Sequence, residues 1–261
     1  MLDLYRPYRS NFADPQSAIR AAVFRTTRFL PNKQKGFRMG QDVTLTSSDG
    51  FKLGAYRADP KGTPKGAIVV IQEIFGVNHH IRAVTDRLAD EGYVAIAPAV
   101  FDRMEPNFQT GYTPDDITAA RAMVGKADFP AMLRDTQAAI DAVKDAGPVG
   151  ITGFCMGGTI VFLAACQLSG LKAGVAYYGG QIAKNADQKA KIPLMMHFGE
   201  KDAGIPMPDV EAIRAKQPQA EIFVYDGAQH GFHCDERASY DKASADVAWK
   251  RTMDFFAKHL K

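Results

Sequence analysis

Apolar positions follow two different patterns along this chain of 261 residues. In Val43–Leu45 and Phe51–Ala55 every second residue is apolar, and Ser48-Asp49-Gly50 lies between the two segments, which predicts an antiparallel β-hairpin. From residue 67 onward, short apolar segments alternate with longer ones whose apolar residues recur every three or four positions. This second pattern predicts strands alternating with helices, and therefore a mostly parallel central sheet flanked by helices.

The order of these elements indicates one α/β domain, residues 41–261, preceded by an N-terminal arm, residues 1–40. Strands after the hairpin are expected at 67–71, 93–97, 148–153, 173–178, 193–198 and 222–225. Helices are expected at 79–90, 114–125, 130–146, 159–168, 208–216 and 239–260. A further short helix at about 15–29 is predicted in the arm, because Asp14-Pro15 is typical of a helix start. The long irregular segment 99–112 suggests a functional loop.

The composition is that of a globular protein, with 46% hydrophobic and 23% charged residues. The apolar runs are too short to span a bilayer, and the N-terminus lacks the charged start and apolar core of a signal peptide, so no membrane partner is expected. Three cysteines, one of them in the motif described below, do not form a disulfide framework. This cysteine usage favours a reducing, cytoplasmic compartment.

The net charge of +3 is unevenly distributed. Residues 1–40 carry eight basic and two acidic side chains, a net charge of +6, which leaves −3 for the rest of the chain. Such an arm could bind nucleic acid, an anionic surface or an acidic partner. Because it contains no nucleic-acid-binding motif, we expect it to lie across its own domain or to pair subunits, and no nucleic-acid partner is predicted. The oligomeric state stays open.

The most informative motif, Gly153-Phe154-Cys155-Met156-Gly157, joins the strand at 148–153 to an apolar helix. A nucleophile on a sharp strand-to-helix turn, flanked by glycines, is the nucleophile elbow of α/β-hydrolases, here with cysteine where serine is usual. Small neighbours let the strand and the helix pack closely around a strained residue. The amino-terminal amides of the helix favour a thiolate and a developing oxyanion. We therefore predict that Cys155 is a nucleophile.

A thiol nucleophile needs a base, and the base needs a third group that holds its tautomer. In this fold an acid and then a histidine follow the nucleophile, each in a loop after a later strand. Asp202 follows the strand at 193–198, and His230 follows the strand at 222–225. All three side chains fall at the carboxyl ends of parallel strands, where such folds bind their ligands. The sequence thus predicts a catalytic triad of Cys155, His230 and Asp202.

Each of these residues also has a structural interpretation. Asp202 could cap a turn, with Glu200 as a rival acid, and His230 could make only a structural hydrogen bond. Cys166 and Cys234 are interpreted as small core residues. The ordering of three candidates after successive strands favours the catalytic interpretation.

A metal site is a further alternative that the sequence raises. One group of potential ligands lies close together in the chain, namely His230, His233, Cys234 and Asp235. A second group of ligands at matching spacing is missing, and His79-His80 is expected to cap a helix, so neither a metal nor a cofactor is predicted.

An oxyanion hole is expected from two backbone amides. One belongs to Met156, the residue after the nucleophile, and the other to the loop after the strand at 67–71, where Ile74 is the nominee. Removing one such donor typically costs about 3 kcal/mol of transition-state stabilisation.

Four motifs, in this order along the chain, resemble those of the dienelactone hydrolase (carboxymethylenebutenolidase) family. They are Gln72–Asn78, Gly153–Gly158, His197–Asp202 and Gly227–Phe232, and the similarity covers about residues 41–260. The resemblance implies an α/β-hydrolase fold and a triad that acts on lactones or activated esters. It also implies that Glu73 pairs with the resting thiol and takes up its proton when substrate arrives, and that Arg103 binds a substrate carboxylate.

Two positions depart from the archetypal family pattern. Gly231 stands where a serine follows the catalytic histidine, and Cys234 stands where a second arginine contacts the substrate carboxylate. A related lactone, or an enol or aryl ester, is therefore as consistent with the sequence as dienelactone. The expected function is a cysteine hydrolase that cleaves a small, carboxylate-bearing lactone or activated ester through an acyl-thioester. The alternatives are a thiol esterase of another small substrate and a non-catalytic thiol-sensing or binding protein on the same fold.

Overall fold

A computed structural model describes residues 40–261 of the protein, so the predicted arm helix at 15–29 lies outside the described residues. The eight strands of the sheet run in the order β1-β2-β4-β3-β5-β6-β7-β8. Their bounds are β1 Gln41–Thr46, β2 Lys52–Ala58, β3 Ala67–Ile71, β4 Val94–Pro98, β5 Val149–Phe154, β6 Leu171–Tyr177, β7 Leu194–Gly199 and β8 Glu221–Tyr225. The β1-β2 hairpin is antiparallel and also pairs antiparallel with β4, whereas every other neighbouring pair is parallel. The predicted mostly parallel sheet with an N-terminal antiparallel hairpin is confirmed.

Helices cover both faces of the central strands. Their bounds are α1 His79–Asp90, α2 Pro114–Val124, α3 Phe129–Val143, α4 Met156–Gln167, α5 Ile182–Asn185, α6 Met207–Lys216 and α7 Lys242–His259. Helices α1 and α3 both pack on β3 and β4, from opposite sides, which buries every residue of these two strands. A strand that is buried on both faces has a continuous apolar sequence. Because β3 has such a sequence, its predicted bounds, 67–71, match the observed ones.

Side-chain caps determine where several helices begin. Asn78, rather than the predicted His79-His80, caps α1 by accepting a hydrogen bond from the Ile81 amide, so that prediction is wrong and both histidines belong to the first helical turn. Helix α7 begins at Lys242, three residues later than expected, because Asp241 accepts a hydrogen bond from the Ser244 amide.

Helix α4 begins three residues earlier than predicted, at Met156 instead of Thr159. Gly157 and Gly158 disfavour a helix by propensity alone. In the folded chain they occupy its first turn, since a Cβ atom on Gly157 would lie 2.5 Å from the carbonyl oxygens of Ile71 and Gln72. The close approach of this turn to the sheet therefore outweighs the propensity.

The parallel register brings together the loops that follow the strands. Ile71 of β3 pairs with Gly153 of β5, so Glu73 and Cys155 each lie two residues beyond paired positions at the same edge of the sheet. None of the helices in residues 40–261 has both the length and the apolar character needed to cross a membrane.

Candidate active site

Cys155 lies on the sharp turn between β5 and α4. Its backbone has φ 55° and ψ −116°, a conformation that costs a non-glycine residue about 1–3 kcal/mol. The Cys155 amide donates a hydrogen bond of 3.0 Å to the Tyr177 carbonyl, and the Cys155 carbonyl accepts one of 3.0 Å from the Gly158 amide. These bonds fix the turn, and the side chain is left partly exposed.

The loops after β7 and β8 bring Asp202 and His230 together. His230 Nδ1 lies 2.7 Å from Asp202 Oδ2, and the Gly204 amide donates a 2.8 Å hydrogen bond to Asp202 Oδ1. Both oxygens of the buried carboxylate are thus occupied, which orients it toward the imidazole. A carboxylate at Nδ1 keeps a proton there, so the lone pair of the neutral imidazole lies on Nε2.

His230 is also coupled to the thiol. Burial alone would lower the pKa of His230, but the charge of Cys155 and the hydrogen bond to Asp202 raise this pKa to about 10. The imidazole side chain is 28% exposed, so it can still meet a substrate. The arrangement favours an imidazolium beside the Cys155 sulphur, as nucleophilic thiol chemistry requires.

The rival acid, Glu200, has other partners. Its Oε2 accepts a 2.9 Å hydrogen bond from the Gly227 amide, and its Oε1 pairs with Lys201 at 3.2 Å. The backbone hydrogen bond, followed by the bond to Lys201, lowers the pKa of Glu200. Asp202 is therefore the carboxylate that contacts His230.

Glu73 is buried beside the elbow and pairs with an arginine that sequence reasoning did not single out. Its side chain is only 1% exposed, and its Oε1 accepts a 3.1 Å hydrogen bond from Arg237 Nη1. Burial would lower the pKa of Arg237, but Glu73 and other neighbours raise it. Gly231, with φ 79°, makes room for this pair, since a Cβ atom there would overlap the guanidinium. At position 231 the chain departs from the family pattern by having a glycine, and this glycine leaves room for the positively charged side chain of Arg237.

Cys234, the second departure, is fully buried and lies close to Glu73. Burial, and then the charge of Glu73, raise the pKa of this thiol to about 12. Potential ligand atoms of Glu73, His80 and Cys234 all lie within 4.8 Å of one another. Within residues 40–261, these three residues are the potential metal ligands that lie close together. Of the four ligands considered from the sequence, only Cys234 belongs to this group. Cys166 is buried as predicted, in α4.

Arg103 lies in a separate ion-pair cluster. Its Nε and Nη2 each donate a 2.8 Å hydrogen bond to Asp135, whose side chain is 1% exposed, and Nη2 also pairs with Asp49 at 2.9 Å. Its guanidinium further lies over the Phe51 ring, 4.3 Å from the ring centre. None of these contacts is with the triad, Glu73 or the oxyanion loop, so the substrate-binding role of Arg103 stays a prediction without a supporting contact.

Two further residues at this edge were missed by sequence reasoning. Tyr178 directly follows β6, has φ 37°, and packs its ring 5.0 Å from that of His230. Its position at the carboxyl end of a strand was a usable signal. The sequence gives no comparable signal for Arg237, because this residue lies 164 positions from its partner Glu73, in a loop without secondary structure.

Of the two expected oxyanion donors, Met156 is next to Cys155 in the chain, and Ile74 lies in the loop that follows a neighbouring strand. Met156 is the first residue of α4, where amides have no carbonyl partner within the helix. Ile74 lies in the loop after β3, the strand next to β5. Their role stays a prediction.

Comparisons with known proteins agree on one family. The sequence model of the dienelactone hydrolase family matches residues 53–260. A candidate carboxymethylenebutenolidase from Synechocystis is 40% identical over 239 residues, covering 84% of this chain and 96% of that protein. The carboxymethylenebutenolidase of Pseudomonas putida is 31% identical over 229 residues, covering 83% of this chain and 96% of that protein.

A solved structure gives the same result for the fold. The crystal structure of a candidate dienelactone hydrolase from Klebsiella pneumoniae has a TM-score of 0.72 and 35% identity, covering 84% of this chain and 100% of that one. With both the sequence and the architecture matched over most of its length, the chain belongs to the dienelactone hydrolase family of α/β-hydrolases and is a hydrolase of that type.

Proposed function

We propose that the chain hydrolyses a small lactone or an activated ester by nucleophilic catalysis, with Cys155 as the nucleophile, His230 as the base and Asp202 as the residue that orients His230. The observation that carries this proposal is the 2.7 Å contact between His230 and Asp202, combined with the charge coupling of His230 to Cys155 on the strained elbow. A base oriented by a carboxylate and coupled to a nucleophile is the arrangement that acyl transfer requires.

In the first half of the reaction, the Cys155 thiol gives up its proton and the thiolate attacks the substrate carbonyl carbon. In this proposal Glu73 accepts the proton of the Cys155 thiol, which is the role that the resemblance to the family implies for it. The amides of Ile74 and Met156 stabilise the resulting oxyanion. When the tetrahedral intermediate collapses, the carbon–oxygen bond to the leaving group breaks, His230 protonates the departing oxygen, and the acyl group stays on sulphur as a thioester.

In the second half, a water molecule attacks the thioester carbonyl while His230 removes its proton. Collapse of this second intermediate breaks the carbon–sulphur bond and releases the carboxylic acid. Glu73 then returns the proton to the Cys155 sulphur, which restores the thiol and the Glu73 carboxylate for the next turnover.

A cysteine nucleophile restricts the substrates that can react. A thiolate leaves a tetrahedral intermediate more readily than an alkoxide, so forward collapse requires a good leaving group such as an enolate or a phenolate. We expect kcat/KM for aryl esters and enol-lactones to exceed that for the matched alkyl esters by about tenfold or more, equivalent to at least 1.4 kcal/mol of activation free energy. Higher kcat/KM values for simple alkyl esters would contradict the mechanism. Labelling of Cys155 without product release would instead indicate a thiol sensor.

Arg237 is the cation that we propose for binding a substrate carboxylate. It is 20% exposed and its charge is coupled to Cys155, whereas the charge of Arg103 is already balanced by two aspartates. Arg237→Gln should therefore lower kcat/KM for a carboxylate-bearing aryl ester roughly 10- to 100-fold more than for a neutral analogue, because one charge-assisted hydrogen bond is lost.

Arg103→Gln is the matched control for this experiment. It should leave the ratio between the two esters unchanged and lower the free energy of unfolding by about 3 kcal/mol, because it strands the buried Asp135 carboxylate. A ratio that depends on Arg103 and not on Arg237 would reverse the assignment in favour of the role implied by the resemblance.

A further inference from the structure

Glu73, His80 and Cys234 form a buried cluster next to the triad, which we call the Glu–His–Cys cluster. They come from three separate segments, the loop after β3, the first turn of α1 and the loop after β8. Their potential ligand atoms lie within 4.8 Å of one another, and all three residues are at most 3% exposed. The cluster brings together an oxygen, a nitrogen and a sulphur donor close enough for one metal ion to reach all three.

Two side-chain atoms of the cluster residues are buried without a hydrogen-bond partner in the described part of the chain. They are Glu73 Oε2 and His80 Nε2. A buried polar atom without a partner costs about 1–3 kcal/mol, so two of them in one cluster indicate a missing ligand. The other oxygen of Glu73 is satisfied by Arg237, which leaves Oε2 free without leaving the carboxylate uncompensated.

His80 is oriented as a metal-bound histidine is. Its Nδ1 lies 3.3 Å from Asp235 Oδ1, which favours the tautomer with the proton on Nδ1. The lone pair of Nε2 is then available to a cation. A carboxylate behind the imidazole of a ligating histidine is the common outer-shell arrangement of metal sites, because it fixes the ring and increases its basicity.

We propose that the Glu–His–Cys cluster binds one divalent transition-metal ion, of the class represented by Zn²⁺. Zinc accepts oxygen, imidazole nitrogen and thiolate sulphur together, usually with four ligands, so a fourth position remains for water. On binding, the Cys234 thiol releases its proton to solvent and its sulphur bonds to the metal. Arg237 stays on the other oxygen of Glu73 and balances its remaining charge.

The ion would also regulate the reaction, and this part rests on the proposed function. Glu73 is the proposed acceptor of the Cys155 proton, and a carboxylate held by a metal is no longer free to accept it. Zinc at the Glu–His–Cys cluster should therefore inhibit hydrolysis without occupying Cys155 or His230.

Metal binding can be measured without any substrate. The full chain is stripped with a chelator and dialysed against limiting zinc, and bound metal is determined by elemental analysis for the wild type and for Cys234→Ser and His80→Gln. We expect one zinc per chain in the wild type and an affinity lower by about 100-fold or more in either variant, because loss of a ligand exceeds the 10- to 100-fold effect of an outer-shell change. Asp235→Asn should show that smaller effect.

Matched controls separate this site from other thiols and histidines. Cys166→Ser and His79→Gln alter a buried cysteine and the exposed neighbouring histidine outside the cluster, and Cys155→Ala removes the triad thiol; all three should keep the zinc. Cobalt should give sulphur-to-metal charge-transfer absorption that disappears in Cys234→Ser. If the latter variant does not fold, His80→Gln carries the test.

The proposal is overturned if the wild type binds no stoichiometric zinc, if Cys234→Ser and His80→Gln bind it as tightly, or if Cys155→Ala removes it. Inhibition is tested separately, with zinc expected to slow wild-type turnover of an aryl ester and to leave His80→Gln unaffected at the same concentration. Zinc that binds without inhibiting would overturn only the regulatory part. A protein without hydrolase activity would refute the proposed function and leave the binding result intact.

Discussion

Cys155→Ala is expected to lower kcat for an aryl ester by about 10⁴-fold or more while the protein stays folded. The loss is large because covalent catalysis has no second nucleophile to take over, and the oxyanion amides alone retain only a small residual rate. Cys166→Ala, which alters a buried thiol on the next helix, should keep wild-type turnover. The measurement is steady-state hydrolysis by purified proteins whose circular dichroism and melting curves are compared. Turnover that survives in Cys155→Ala would refute the assignment of the nucleophile.

The same position tests whether the elbow is strained. Cys155 has φ 55° and ψ −116°, which glycine adopts more easily than alanine. Cys155→Gly should therefore be more stable than Cys155→Ala by about 1 kcal/mol, since relief of backbone strain exceeds the additional entropy that glycine gives the unfolded chain. Urea denaturation of the two variants measures the difference.

Position 166 provides the control for this comparison. Cys166 lies inside α4, where glycine disfavours the helix, so Cys166→Gly should be less stable than Cys166→Ala by about 1 kcal/mol. If glycine is more stable than alanine at position 155 and less stable at position 166, the effect at 155 comes from the local backbone. If glycine is less stable than alanine at both positions, the elbow stores no strain.

Elements with a strong local signal could be predicted from the sequence. The continuous apolar segment of β3 and the amphipathic α1 have the expected bounds, because burial of both strand faces and of one helix face leaves an unambiguous pattern. The start of α4 was misplaced because close packing on β3 and β6 requires Gly157 and Gly158 there. Propensity describes the isolated helix, whereas contact with the sheet decides this turn.

The candidate site divides in the same way. Cys155, Asp202 and His230 each follow a strand, so the topology alone indicates that they lie at the same edge of the sheet. The partners of Glu73 depend instead on the path of the loop after β8, which turns Cys234 inward and brings Arg237 over Gly231. No local pattern specifies such a path. The pairing of Arg103 with Asp135 likewise joins a loop to a helix, and no sequence pattern indicates that these two segments are in contact.

Asp202→Asn is the second change with a large expected effect, and the surrounding hydrogen bonds determine its direction. The Gly204 amide donates to Asp202 Oδ1, so the oxygen of an asparagine is held at that position and its NH₂ group faces His230. The reversed amide would set two donors against each other in a buried place, at a cost of about 1–3 kcal/mol. His230 Nδ1 must then accept a hydrogen bond instead of donating one.

With Nδ1 as an acceptor, the neutral imidazole carries its proton on Nε2 and cannot take a proton from the water that attacks the thioester. We expect kcat to fall by about 10³- to 10⁴-fold, with the fold retained because asparagine matches the shape of aspartate. Glu200→Gln is the matched control, since Glu200 accepts a backbone hydrogen bond on the same edge but does not contact His230. Its turnover should stay close to wild type. If Glu200→Gln lost activity and Asp202→Asn kept it, Glu200 would be the acid of the triad, because only the carboxylate that fixes the Nδ1 proton can make Nε2 a base.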